Sequence, residues 1–208
     1  MRTDYLSKLV IEDNCNCAGI FLIKHTIDNE IYINNPSDNY KTNKIEVLLV
    51  ENRRKNYQFS FPKGKRNKGE HTLVAAKREL LEETGIEEKD YDLMENRWFI
   101  EYCTKASEPD VEKPHIIYYL AVLKNNDVNL CPKDTKEILN AKWFEPDDIY
   151  KMKKTFYLQR RQIVTRAIRD YKTKIIIQKI PNYKNYQIHV KNDNVLVQEQ
   201  EQEQEQIL

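Results

Sequence analysis

The sequence predicts an α/β fold in which short buried strands stand on either side of one amphipathic helix. Two apolar runs, Cys17 to Lys24 (CAGIFLIK) and Ile45 to Val50 (IEVLLV), are bounded by polar residues and have the length and residue types of buried strands. Thr72 to Gly85 has helical periodicity, with Leu73, Ala76, Leu80 and Thr84 on one stripe and Glu79, Glu82 and Glu83 at i, i+3 and i+4 on another. Strand-like stretches return at Arg97 to Tyr102, His115 to Lys124 and Ala141 to Phe144. Strands before and after a helix call for a sheet with helical cover.

Taken in order, His25 to Lys44 contains IYI and the turn-rich NNPSDNYKTN, and reads as a hairpin-like surface excursion ending in a loop. Gln58 to Phe61 is a short alternating strand that delivers Pro62-Lys63-Gly64-Lys65. Gly64 and Gly69 let the next loop turn tightly and approach a ligand with its backbone. Thr72 is the expected N-cap of the helix and Gly85 its stop, so the three glutamates form an exposed chemical face opposite a packing face. The charged stretch TKASEPDVEKP reads as a loop between two strands, and Pro146-Asp147-Asp148 opens a helix. Lys151 to Lys172 then reads as one amphipathic helix, with Phe156, Val164, Ala167, Ile168 and Tyr171 on one side and Lys154, Arg161, Arg169 and Lys172 on the other. Lys174 to Val197 alternates (IIIQKI, YQIHV, NVLV) as small strands do, with turns at Pro181-Asn182 and Asn192-Asp193-Asn194, and Gln198 to Gln206 is a Gln-Glu alternation expected to be disordered.

At 208 residues the chain accommodates one catalytic domain with extensions: residues 1–172 with a core over about 16–150 and a basic helix over 151–172, an extension over 173–197, and a tail over 198–208. A net charge of +1 announces no polyanionic partner through a global field, so any basic patch is local. Cys15, Cys17, Cys103 and Cys131 lack the paired spacing of a zinc site. No apolar run approaches the roughly twenty residues of a membrane span, and MRTDYLSKLVIED lacks a signal peptide's apolar core. The expectation is a soluble cytoplasmic protein in a reducing compartment. Heavy use of Asn, Lys, Ile and Tyr points to an AT-rich genome, such as that of a protist or a giant virus whose protein would work in the host cytoplasm.

Three carboxylates on one helical face repel one another unless a cation neutralises them, and oxygen-only ligands select Mg²⁺ or Mn²⁺ over zinc. The spacing around them is Gly64, five residues, Glu70, seven residues, then Arg78-Glu79-Leu80-x-Glu82-Glu83-x-Gly85-Ile86. This resembles the Nudix box at every defined position. The resemblance implies a loop–helix–loop on an α/β/α sandwich with a mixed sheet, cutting a pyrophosphate linkage between a nucleoside diphosphate and another group. It implies Glu79, Glu82 and Glu83 as metal ligands, the main-chain carbonyl near Lys63 and Gly64 as another, and Arg78 paired with Glu70 to brace the loop.

Hydrolysis also needs an activated water. Glu137, in TKEILNAKWFEPDDI, is the candidate base, since this stretch resembles one in the mRNA-decapping catalytic subunit; Glu82 or Glu83 is the alternative. Phe59-Ser60-Phe61-Pro62-Lys63-Gly64-Lys65 resembles the W-x-F-P-K-G-K signature of decapping-type Nudix domains, with Phe59 in place of tryptophan. Lys63, Lys65, Arg66 and Lys68 form a basic rim suited to polyphosphate, and Lys154, Arg161, Arg169 and Lys172 to RNA phosphates. Tyr57, Phe59 and Tyr102 are available to stack on a base. Capped RNA, cleaved to release m⁷GDP, is the leading substrate. The P-K-G core is shared with diadenosine and diphosphoinositol polyphosphate hydrolases, which are the alternative; a Nudix-fold RNA-binding protein without catalysis is a third reading, at odds with an intact box. About sixteen residues precede the first strand where cellular decapping enzymes carry a helical regulatory domain, so a compact viral-type decapping enzyme, or a small polyphosphate hydrolase, fits the length.

Overall fold

A computed structural model of the chain describes residues 12–27, 43–53, 58–105, 108–179, 186–191 and 194–199. The elements are β1 (Cys17–Ile27), β2 (Asn43–Asn52), β3 (Phe59–Ser60), β4 (Lys63–Lys65), α1 (Thr72–Thr84), β5 (Tyr91–Lys105), β6 (Glu108–Leu123), β7 (Ile138–Phe144), α2 (Pro146–Lys151), α3 (Leu158–Lys179), β8 (Tyr186–Lys191) and β9 (Asn194–Glu199). The chain divides into two compact units, residues 1–163 and 164–208, and the division falls inside α3. Residues 28–42, which hold most of the expected excursion, and 200–208, which hold most of the expected tail, lie outside the described residues, as do Tyr57 and the turns at Pro181-Asn182 and Asn192-Asp193.

The first unit is built on a mixed seven-stranded sheet with the path β3-β2-β1-β6-β5, to which β4 adds by pairing β1 and β7 by pairing β2. Among the described residues only the β1–β6 ladder is parallel, running from Cys17 opposite Ile116 to Ile23 opposite Val122. This central pair is covered on both faces, which is why β1 is a continuous apolar run rather than an alternating one. Ala18, Ile20 and Leu22 join Ala75, Ala76 and Leu80 of α1 in one buried cluster. On the opposite face Phe21 packs on Phe61 (ring centroids 4.8 Å), and Phe61 packs in turn on Tyr118 (5.2 Å) and Phe156 (5.4 Å).

Helix α1 starts and stops for local reasons. Its cap is His71, whose Nδ1 accepts the Leu73 N–H at 3.2 Å. Thr72, the expected cap, is instead fully inside, with its hydroxyl 2.6 Å from the Tyr119 hydroxyl. The side chain chose a buried partner over the helix's own N–H groups. At the other end Gly85 takes φ +80°, and a Cβ there would sit 2.7 Å from the Cys131 carbonyl oxygen, so no other residue fits without strain.

Three expected elements differ. Among the described residues of the stretch TKASEPDVEKP the chain is strand rather than loop: β5 and β6 pair antiparallel in a register that continues through Cys103 opposite Lys113 and Thr104 opposite Glu112 to Lys105 opposite Glu108. The expected helix over 151–172 is two pieces: α2 ends at Lys151, a turn follows, and α3 begins at Leu158. Phe156 therefore sits in the turn, fully buried against Phe61, and Lys154 lies in the same turn. Lastly, Ile175 to Lys179, read as a strand, is the end of α3; β8 and β9 form a separate antiparallel hairpin that includes Gln198 and Glu199. Among the described residues no helix is long and apolar enough to cross a membrane, and all four cysteines are free.

Candidate functional site

The loop before α1 is held against the helix by one arginine. Arg78 grips Glu70 with two parallel bonds, Nε to Oε1 at 2.9 Å and Nη2 to Oε2 at 3.0 Å, and Nη2 also donates to the Lys65 carbonyl at 2.9 Å. Its Nη1 reaches Glu79 Oε1 at 2.6 Å and Glu82 Oε2 at 3.0 Å. The Arg78 guanidinium beside it holds the Glu70 carboxyl below the usual carboxylate range. Burial pushes the Glu79 carboxyl up and its neighbour Glu82 adds to this, against the pull of Arg78.

The three helix glutamates are not equally exposed, contrary to the expected open face. Glu83 is 5 % exposed, and its Oε2 accepts the Lys63 N–H at 2.9 Å. Glu79 presses on the loop so closely that a Cβ on Gly64 would lie 2.1 Å from its carboxyl group. Gly64 is thus required by the carboxylate it faces. Only Glu82 is half exposed.

A cleft of about 670 Å³ is lined by Glu79, Glu82, Glu83, Lys63 and Lys65 and also by Glu137. Glu137 is more than fifty residues from the helix in sequence, and backbone bonds explain how it arrives. The last carbonyls of α1, which have no partner within the helix, accept from the segment ahead of β7: Cys131 N–H to Thr84 O (2.8 Å), and Lys133 and Asp134 N–H to Glu82 O (2.8 and 3.0 Å). Asp134 Oδ1 then accepts the N–H groups of Lys136 and Glu137, and the Glu137 carbonyl accepts the Arg53 N–H at 2.9 Å.

Sequence reasoning missed a second charged pair in this cleft. Glu101 of β5 and Arg160 of α3 both line it, are 6 % and 9 % exposed, and meet through Nε–Oε2 (2.8 Å) and Nη2–Oε1 (3.0 Å). The Tyr118 hydroxyl donates to the same Oε2 at 2.9 Å, and burial raises that phenol's pKa well above its ordinary value. One signal was available: Glu101 is two residues from buried Phe99, so it falls on the inward face of its strand.

The basic residues do not gather as expected. Lys63 is nearly buried, Lys65 lines the cleft, and Lys68 is exposed without lining it. Arg66 spends Nε on the Glu70 carbonyl (2.9 Å) and Nη1 on the Glu12 and Cys15 carbonyls (3.0 Å each), so it braces the loop rather than standing free on a rim. Arg161, Arg169 and Lys172 are on α3, while Lys154 precedes it. Phe59 packs edge-on against Phe144 at 5.3 Å, and Tyr102 is exposed on β5.

The donors around Glu79, Glu82 and Glu83 are carboxylate oxygens, a set that fits a hard divalent cation and no soft one. Among the described residues no three acidic, histidine or cysteine side chains converge on a single point; the cation that bridges Glu79 and Glu82 is Arg78 itself.

The family description "NUDIX domain" matches residues 33–167, well over half of the chain and the whole of the loop, helix and cleft segments just described. The chain belongs to the NUDIX family. Hydrolases of this family generally use divalent metal ions. Among curated proteins the chain is 34 % identical over 140 residues to a protein of Acanthamoeba polyphaga mimivirus described, provisionally, as an mRNA-decapping protein. That match covers 63 % of this chain and 38 % of the relative, so the chain spans well under half of the relative's length. Among solved structures, an Ap4A hydrolase of C. elegans in a binary complex superposes with a TM-score of 0.57 at 23 % identity, over 76 % of this chain and 97 % of that one. A Nudix hydrolase of M. smegmatis, RenU, gives 0.52 at 13 % identity, over 81 % and 91 %. At these identities the likeness is one of fold.

Proposed function

We propose that this chain is a divalent-metal-dependent hydrolase of phosphate anhydrides whose substrate is the 5′ cap of mRNA, cleaved to release m⁷GDP, with the catalytic domain over residues 1–172. One observation carries the reading: Glu137 lines the same cleft as Glu79, Glu82 and Glu83. In this reading Glu79, Glu82 and Glu83, with the main-chain carbonyl at Lys63, would hold Mg²⁺ or Mn²⁺, which when bound supplies charge neutralisation on the phosphoryl oxygens. Glu137, in the same cleft, accepts the proton of the attacking water. Arg78 fixes the loop through Glu70, which keeps the Lys63–Lys65 backbone and the Lys65 side chain in place for the substrate's phosphates. The Glu101–Arg160 pair holds the start of α3 against the cleft wall. Arg161, Arg169 and Lys172 of α3, with Lys154 ahead of it, contact the RNA body through its phosphates.

The resemblance of the Glu137 segment and of the Phe59–Lys65 segment to decapping-type domains, and the likeness to the mimivirus protein, support RNA as the substrate. A second reading, hydrolysis of diadenosine or diphosphoinositol polyphosphates in the cytoplasm, rests on the P-K-G core alone. The test offers purified protein with Mg²⁺ or Mn²⁺ to cap-labelled RNA, diadenosine polyphosphates and diphosphoinositol phosphates in parallel. Release of m⁷GDP from RNA is expected; turnover of the small molecules in preference to RNA moves the assignment to the second reading.

A further inference from the structure

A second pocket of about 530 Å³ adjoins the cleft, and the two share Cys17, Lys65, Asn67 and His115 as walls. Their charges are opposite in kind. The cleft is lined by six acidic residues, Glu79, Glu82, Glu83, Glu101, Asp134 and Glu137, whereas the side chamber is lined by none and carries Lys65 and Arg66. Arg66 is the more informative of the two. Three backbone carbonyls hold its Nε and Nη1, so its orientation is fixed by neutral acceptors, and its Nη2 amino group makes none of these bonds. A guanidinium whose bonds go to carbonyls is held in place and loses little freedom on binding a ligand, and its charge, which also acts on the nearby Glu70 carboxylate, is not consumed by a direct ion pair among these bonds. Asn16, whose carbonyl accepts the Arg66 N–H at 3.0 Å, and Asn67 add neutral polar walls.

We propose that this chamber seats a phosphoryl group of the substrate beyond those held at the acidic cleft. The inference rests on the proposed anhydride hydrolysis. A polyanion whose scissile phosphates lie among the glutamates has the rest of its charge unanswered there, and the adjoining cavity is carboxylate-free with a fixed cation. The phosphoryl group has two possible sources: the first phosphodiester of an RNA body, or a further phosphate of a free polyphosphate. Both present the same tetrahedral anion.

Two variants test it. Arg66→Gln removes the cation, and because that residue also braces the loop, Asn16→Asp places a carboxylate in the chamber without touching the three carbonyl contacts. Each variant is assayed on two substrate pairs, capped oligoribonucleotide against cap dinucleotide, and Ap4A against Ap3A. The unmodified enzyme favours the extended member of at least one pair, and both variants reduce that preference by about tenfold, mainly through KM. A preference lost in the RNA pair assigns the phosphodiester, and one lost in the dinucleotide pair assigns the polyphosphate. No preference in the unmodified enzyme, or equal losses on both members of each pair, overturns the proposal. Calorimetric titration with inorganic tripolyphosphate and pyrophosphate in Mg²⁺ is independent of turnover: tighter tripolyphosphate binding, weakened about tenfold in Asn16→Asp, is expected. If the unmodified protein cleaves nothing, the proposed function fails and this titration alone decides the chamber, which falls if tripolyphosphate binds no better than pyrophosphate.

Discussion

Arg78 is the side chain on which the most of the site depends, and Arg78→Ala is the perturbation that measures it. The change deletes five hydrogen bonds, two of them the parallel pair to Glu70, and leaves Glu79 and Glu82 without the cation between them. Hydrogen bonds to charged groups contribute about 1.5–3 kcal/mol each where buried, but they are not additive, and this guanidinium is 27 % exposed, so solvent screens part of each. The expected loss is therefore about 2–3 kcal/mol, well short of the sum. For a chain of this size that lowers Tm by roughly 5–10 °C. Arg78→Lys keeps the charge but cannot make the fork, and should lose about half as much. Urea and thermal unfolding of Arg78→Ala, Glu70→Gln and the variant carrying both changes give a double-mutant cycle, with an Arg78–Glu70 coupling of about 1–2 kcal/mol expected. A loss under about 0.5 kcal/mol in Arg78→Ala, or zero coupling, would refute the bracing role.

The remaining expectations concern chemistry and charge. Glu137→Gln should cut kcat by more than about tenfold with little change in substrate binding, because a base acts in the transition state; an unchanged pH–rate profile would place the base elsewhere. The depressed folded-state pKa of Glu70 stabilises the fold fully above the ordinary glutamate range, near pH 4.3, and this contribution is lost as pH falls through the lower folded value. The stability gap between wild type and Glu70→Gln should therefore be widest at neutral pH and close in acid, and a gap that widens in acid would contradict the assignment. Reversing the charges of Arg169 and Lys172 should weaken hydrolysis of capped RNA and flatten its salt dependence while sparing a cap dinucleotide; equal effects on both would make the helix purely structural.

Much of the fold was legible because β1 and β2 are continuous apolar runs and α1 carries both its periodicity and a glycine stop. The box could be read for the same reason: its contacts, Glu70 to Arg78 above all, are local, none of them more than about twenty residues apart. What failed to show was settled by partners distant in the chain. Thr72 looked like a cap until Tyr119, 47 residues away, claimed its hydroxyl. The break between α2 and α3 has no glycine or proline to announce it, and Phe156 leaves the helical pattern for a ring stack with Phe61. Ile175-Ile176-Ile177 has the β-branched residues of a strand, yet α3 runs through it. Glu101 and Arg160, 59 residues apart, belong to no motif.

The measurement closest to the central claim is a Mn²⁺ titration followed by electron paramagnetic resonance, on the wild type and on Glu82→Gln and Glu83→Gln, with turnover measured on the same samples. Wild-type protein should bind Mn²⁺, with the carboxylates exchanging Arg78 for the ion, and each variant should lose metal affinity and turnover together by well over about tenfold while melting as a folded protein. Mn²⁺ affinity and activity within about twofold of wild type in either variant would contradict the claim that these helix carboxylates are the metal site.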